Sequence, residues 1–195
     1  MSNSKNLIIG ITGMSGSGKT TLVKALSDSI NATAVYWDDF DAISKAPEDL
    51  VDWYHRGKNH TEFDYANLSD VLNQFKSGGT VQHPVSSEKL VSAPFIIFDA
   101  PMGRLHHQTG RYIDIEIYMD TPPDVSLARR LIRDYEHTPD DKNEVIEELK
   151  FYIEQSRPLF FSDDLKNSAD LIMDGNIATN HQIEIIHSYL RNIKL

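Results

Sequence analysis

Eight consecutive residues, Gly13-Met14-Ser15-Gly16-Ser17-Gly18-Lys19-Thr20, have the types and spacing to hold a polyphosphate. They fill the pattern G-x-x-x-x-G-K-[ST] at every position. Glycines let successive backbone N–H groups curl inward around an anion, and a following helix start adds partial positive charge. The pattern implies that Lys19 reaches the β- and γ-phosphates and that the Thr20 hydroxyl ligates Mg²⁺. A glycine-rich turn that merely joins two elements is the alternative, and the flanks argue against it. Leu7 to Ile11 is a short apolar run that reads as a buried strand, and Leu22, Val23, Ala25 and Leu26 follow at helical spacing. We therefore expect Gly13, Ser15, Gly16, Ser17, Gly18, Lys19, Thr20 and Thr21 to bind a nucleoside triphosphate.

Acids stand at the ends of two further strand-like runs. Thr33 to Trp37 is β-branched and aromatic and ends in Asp38-Asp39-Phe40-Asp41. A carboxylate there can accept a proton from an attacking hydroxyl; a solvated acidic turn is the alternative. Phe95-Ile96-Ile97-Phe98-Asp99 delivers a carboxylate to a strand's carboxyl end, where a phosphate-loop protein holds its metal or the metal's water shell. Arg129, Arg130 and Arg133 lie on a helix for which Thr121 supplies a hydroxyl cap and Pro122-Pro123 the first turn. They cannot all face one way, so some are structural or solvated, yet such a cluster suits a mobile lid that clamps phosphates. His106 and His107 are adjacent, point apart and lack a suitably spaced acid partner, so they read as loop residues.

Positioning these groups takes alternating strands and helices. Ile113 to Met119 reads as a fourth strand and Ala169 to Met173 as a fifth, while helices are expected over 66–77, 140–156 and 181–193. Thr80 to Ala93 is extended or looped. Pro47 to Glu62 has no clear period, and its aromatics and charges suit a substrate cover or an ordinary surface excursion. The pattern gives a doubly wound parallel sheet covered on both faces, in one domain of 195 residues. A net charge of −10 argues against a nucleic-acid partner. The absence of cysteine fits a reducing compartment, and no apolar run approaches a membrane span, so we expect a cytoplasmic protein with no membrane contact. A homo-oligomer is left open.

The ordered set IIGITGMSGSGKTTL, WDDFD, NHTEFDYANL, FIIFDAP, IDIEIYMDTPPD, ARRLIRD, SRPLFF and ADLIMDG resembles the uridine kinase and phosphoribulokinase group of phosphate-loop kinases. The resemblance implies a three-layer α/β fold with a five-stranded parallel sheet in order 2-3-1-4-5 and a helical lid near 126–157. It implies that Asp38 deprotonates the ribose 5′-hydroxyl, that Asp64 grips the ribose hydroxyls, and that Asp99 holds Mg²⁺ with Thr20. It also implies that Arg129, Arg130 and Arg133 serve the lid, that Arg157 is a basic substrate position, and that the turn at Asn176 holds the adenine of ATP. Asp99-Ala100-Pro101 departs from the family's more usual Glu followed by Gly.

A second departure concerns the acceptor. Uridine kinases read the base with a tyrosine, a histidine and an arginine, whereas His83 to Lys89 here has neither tyrosine nor arginine. Trp53, Tyr54 or His55 are other routes to a base platform. The expectation is an ATP-dependent kinase acting on the primary hydroxyl of a nucleoside-like acceptor, with uridine not the best one. The alternatives are a kinase of a non-nucleoside metabolite and a nucleotide-binding regulatory protein. The absence of an N-K-x-D motif argues against GTP.

Overall fold

A computed structural model describes residues 6–84, 87–136 and 142–193. Five strands form the central sheet: β1 (Leu7–Thr12), β2 (Thr33–Tyr36), β5 (Phe95–Asp99), β6 (Ile115–Asp120) and β7 (Leu171–Asp174). A separate antiparallel hairpin is made by β3 (Thr80–Gln82) and β4 (Lys89–Val91). The sheet is parallel throughout and runs β2-β5-β1-β6-β7, the expected 2-3-1-4-5 once the hairpin strands are left out of the count.

Alternation along the central strands sorts the core into two halves. On one face Ile8, Ile96 and Phe98 pack on Leu68, Leu72 and Phe75 of α3 (Ala66–Lys76). On the other, Ile9, Ile11 and Ile97 pack on Leu22, Val23 and Leu26 of α1 (Lys19–Ile30) and on Ile186 of the last helix, Thr179–Asn192. A strand's period of two sends Ile96 and Phe98 one way and Ile97 the other. Each such fully buried side chain contributes about 1.5–3 kcal/mol.

Three local expectations are corrected. The stretch 47–62 contains a short helix, α2 (Leu50–His55), started by Asp49, whose carboxylate accepts from the N–H groups of Val51 and Asp52. Thr121 does not cap the helix after β6: α5 (Pro123–Tyr135) begins without a side-chain cap, and the Thr121 hydroxyl donates instead to Ser17 O at 3.0 Å. The helix expected over 140–156 is α-helical over Lys142–Phe151 (α6), and Tyr152–Ser156 widens into a π-turn before Arg157-Pro158. Its first two expected residues lie outside the described ones. The remaining short helices are α4 (His107–Gly110) and α7 (Asp163–Ser168), with the last one α8.

Candidate active site

The carboxyl ends of β1, β2 and β5 open into one cleft of about 880 Å³. Its floor is the loop from Gly13 to Thr20. Gly13, Gly16 and Gly18 take φ of 138°, 80° and 100°, conformations that L side chains rarely adopt. At Gly16 space is also exhausted, since an added Cβ would stand 2.1 Å from the carbonyl oxygen of Ser126 on α5. Ser17 is fully buried beneath the loop and does not line the cleft; its carbonyl anchors the Thr121 hydroxyl. Thr21 lines the cleft one residue beyond Thr20.

Three charges meet at this floor. Lys19 Nζ donates to Met14 O at 3.0 Å, and Thr20 Oγ1 donates to Asp99 Oδ2 at 2.7 Å. Burial lowers the pKa of Lys19, and the carboxylates of Asp99 and Asp38 act against that fall. Burial raises the pKa of Asp99, with Lys19 and the Thr20 hydroxyl opposing it. Asp38 is raised in turn, by desolvation first and then by Asp41 and Asp99, while Lys19 pulls it down.

The three acids and one phenylalanine after β2 are sorted by a 3₁₀ turn over Asp38–Ile43. Side chains three apart eclipse in such a turn. Asp38 and Asp41 line the cleft, Phe40 is buried in the core, and Asp39 meets His83 Nε2 at 3.0 Å on the hairpin side. The turn is braced by Tyr65, whose O–H donates to Asp41 Oδ1 at 2.6 Å and whose ring lies 4.0 Å from that of Trp37.

Other expected residues are placed less uniformly. Arg129 and Arg133 line the cleft, and Arg129 Nη1 donates to Gly175 O at 3.1 Å. Arg130 does not line it: the guanidinium pairs with Glu148 of α6 and stacks 5.3 Å from Phe160, joining α5 to α6. Arg157 is exposed with its guanidinium over Phe161, and exposed Asn176 donates its N–H to Asp174 Oδ1. Neither lines the cleft. Asp64 also lies off the cleft wall, between the lining residues Phe63 and Tyr65; its Oδ1 accepts from Gln108 Nε2 at 2.8 Å. His106 is a buried core residue that Thr109 and Phe63 O satisfy, and burial lowers its pKa.

The far wall comes from the stretch offered above as a substrate cover: α2 and the segment after it bring Trp53, Tyr54, His60 and Phe63 to the cleft, whereas His55 does not line it. Trp53 Nε1 donates to Asn59 O at 3.0 Å, and His60 packs edge-on against its ring. No residue of the β3–β4 hairpin among the described ones lines the cleft.

The geometry has counterparts in known proteins. A model of the phosphoribulokinase / uridine kinase family matches residues 8–176. The chain is 27% identical over 206 residues to a uridine kinase of Borrelia duttonii (strain Ly), covering 95% of each. A uridine kinase of Macrococcus caseolyticus (strain JCSC5402) is 26% identical over 205 residues, covering 97% of this chain and 98% of its own. Among solved structures, a sugar kinase from Janibacter sp. HTCC2649 shares the fold with a TM-score of 0.50 at 17% identity, covering 95% of each chain. The chain belongs to the phosphoribulokinase and uridine kinase family, and it is an ATP-dependent phosphotransferase that acts on a hydroxyl group.

Proposed function

We propose that the chain transfers the γ-phosphoryl group of ATP to a primary hydroxyl of a nucleoside-like acceptor, with Asp38 as the base. One observation carries this reading. Asp38 opens onto the cleft that the phosphate loop floors, and among the described residues its carboxylate has no hydrogen-bond partner. Its neighbour Asp39 is held on His83 outside that cleft.

Catalysis here is positioning and charge neutralisation. The backbone N–H groups of Gly13 to Thr20 and the start of α1 hold the triphosphate. Lys19 and Arg133 stabilise charge on the phosphoryl oxygens being transferred. Asp38 accepts the proton of the attacking hydroxyl, and its raised pKa makes it a better base than an ordinary carboxylate. Thr20 Oγ1 and Asp99 Oδ2 form a pair of hard oxygen donors at 2.7 Å, which fits Mg²⁺ completed by waters and phosphate oxygens. Bound there, the ion supplies Lewis-acid neutralisation of the phosphates. The aromatic side chains of Trp53, Tyr54 and Phe63 among the cleft's lining residues support an acceptor that carries a ring.

A steady-state comparison of kcat/KM for uridine, cytidine, nicotinamide riboside and simple sugars at saturating ATP and Mg²⁺ tests the reading. Turnover of a nucleoside well above the sugars is expected, with uridine not the best acceptor. Sugars far above every nucleoside would overturn the acceptor class.

A further inference from the structure

The cleft is acidic as well as aromatic. Besides Asp38 at its floor, Asp41, Glu48 and Asp164 line it, and with them stands Lys58, whose Nζ is paired with Asp164 at 3.2 Å and lies 5.5 Å above the Tyr54 ring. Of the other lining cations, Lys19 and Arg133 stand beside Asp38, and Arg129 donates to Gly175 O. Beyond them an acceptor meets carboxylates and aromatic side chains, with no unpaired lysine or arginine among the other described lining residues.

Asp41 is the best placed of these acids. The 3₁₀ turn sets it three residues from Asp38, so the two carboxylates share one side of the turn. Its Oδ1 is fixed by the Tyr65 hydroxyl at 2.6 Å, and the Tyr65 ring is fixed in turn by Trp37. Among the described residues Oδ2 has no hydrogen-bond partner. Asp41 is exposed and lines the cleft, so one oxygen is locked while the other is open to solvent and to whatever occupies the cleft.

From this geometry we propose that Asp41 is a specificity-determining residue for the acceptor. Its free oxygen accepts a hydrogen bond from a second hydroxyl or a positively charged group of the acceptor, and the wall it belongs to rejects acceptors that carry phosphate or carboxylate. The inference rests on the kinase reading and narrows it to uncharged or cationic ring-bearing alcohols. The physical basis is a charge-assisted hydrogen bond for the correct acceptor and like-charge repulsion for the wrong one.

Asp41→Asn is the decisive variant, because the amide keeps an oxygen to accept from Tyr65 but presents N–H where the wall presented an acceptor. With uridine and nicotinamide riboside we expect the acceptor KM to rise about tenfold or more, with kcat and the ATP KM within about threefold. Tyr65→Phe keeps the ring against Trp37 and frees Asp41, so it should raise the acceptor KM by a smaller factor. Ribulose 5-phosphate and pantothenate should be poor acceptors for the wild type and improve relative to uridine in Asp41→Asn. An unchanged acceptor KM in Asp41→Asn, or an anionic acceptor preferred by the wild type, overturns the inference. If the wild type phosphorylates no alcohol, the kinase reading itself has failed. Calorimetric titration of the same acceptors into ADP-loaded wild type and Asp41→Asn then decides the role of Asp41 separately: equal affinities overturn it, and a tenfold loss in the variant supports it.

Discussion

His83 Nε2 stands 3.0 Å from Asp39 Oδ2, while Asp38, one residue earlier, opens onto the cleft. Neighbouring acids on one turn are thereby given different work. Asp38→Asn should lower kcat by about 100-fold or more with little change in nucleotide affinity, since it removes the proton acceptor. Asp39→Asn should leave kcat within about threefold and act on the hairpin's attachment. Equal losses in the two variants, measured by steady-state kinetics and nucleotide titration, would move the role along the chain.

The same carboxylate sets the acid limb of activity. A base works only when ionised, and burial together with Asp41 and Asp99 raises Asp38 above its ordinary 3.8. Activity should therefore be present above that raised value and disappear as pH falls through it, at a midpoint higher than a solvated carboxylate gives. A pH profile of kcat checks this; a limb at or below 3.8 contradicts the assignment of Asp38.

Lys19→Ala should abolish phosphoryl transfer, by about 10²- to 10³-fold or more, with the fold retained. Among the described residues the lysine's one side-chain hydrogen bond is to Met14 O, and it belongs to neither half of the hydrophobic core, so the fold should survive its removal. Circular dichroism and a thermal midpoint near wild type, beside lost turnover, are the expected pair of results. Wild-type turnover in the purified variant would reduce the loop to a connection between strand and helix.

Glu116 offers a stability test away from the chemistry. It is fully buried on β6, with Oε2 near the Arg104 N–H and the Ser168 hydroxyl, and with Oε1 unpartnered among the described residues. Burial raises its pKa from 4.5 in spite of Arg104. The folded chain then keeps a proton that the unfolded chain has released, so this contribution to stability is full below 4.5 and is lost as pH rises through the raised value. Glu116→Gln should remove that part of the pH dependence of the denaturation midpoint. A steeper loss of stability with rising pH in the variant would show that the Arg104 contact governs the group.

Legibility followed the range of the forces involved. The phosphate loop, the five sheet strands and the stripe of α3 are local patterns, and Asp38 and Asp99 stand at the ends of strands that β-branched, aromatic and continuous apolar runs already mark. The helix α2 was also announced, by Asp49 as an N-cap two residues after Pro47, though six residues carry too little periodicity to stand out. Thr121 misleads because a hydroxyl cap and a long-range donor look alike in sequence, and the carbonyl of Ser17 won. The Tyr65 hydrogen bond to Asp41, the Arg130 pair with Glu148, and the turning of Asp64 toward Gln108 depend on which elements become neighbours. No spacing within one element encodes them.

Gly16 and Ser126 join the phosphate cradle to the root of the lid. The loop leaves no room for a Cβ against the Ser126 carbonyl, and the Thr121 hydroxyl ties the same junction to Ser17 O. Any swing of α5 must therefore have its fulcrum beyond Ser126, because movement nearer the root would deform the loop. A swing confined to the outer part of α5 would leave the shape of the cradle unchanged, so that the loop could hold its anion whatever the position of the helix's far end.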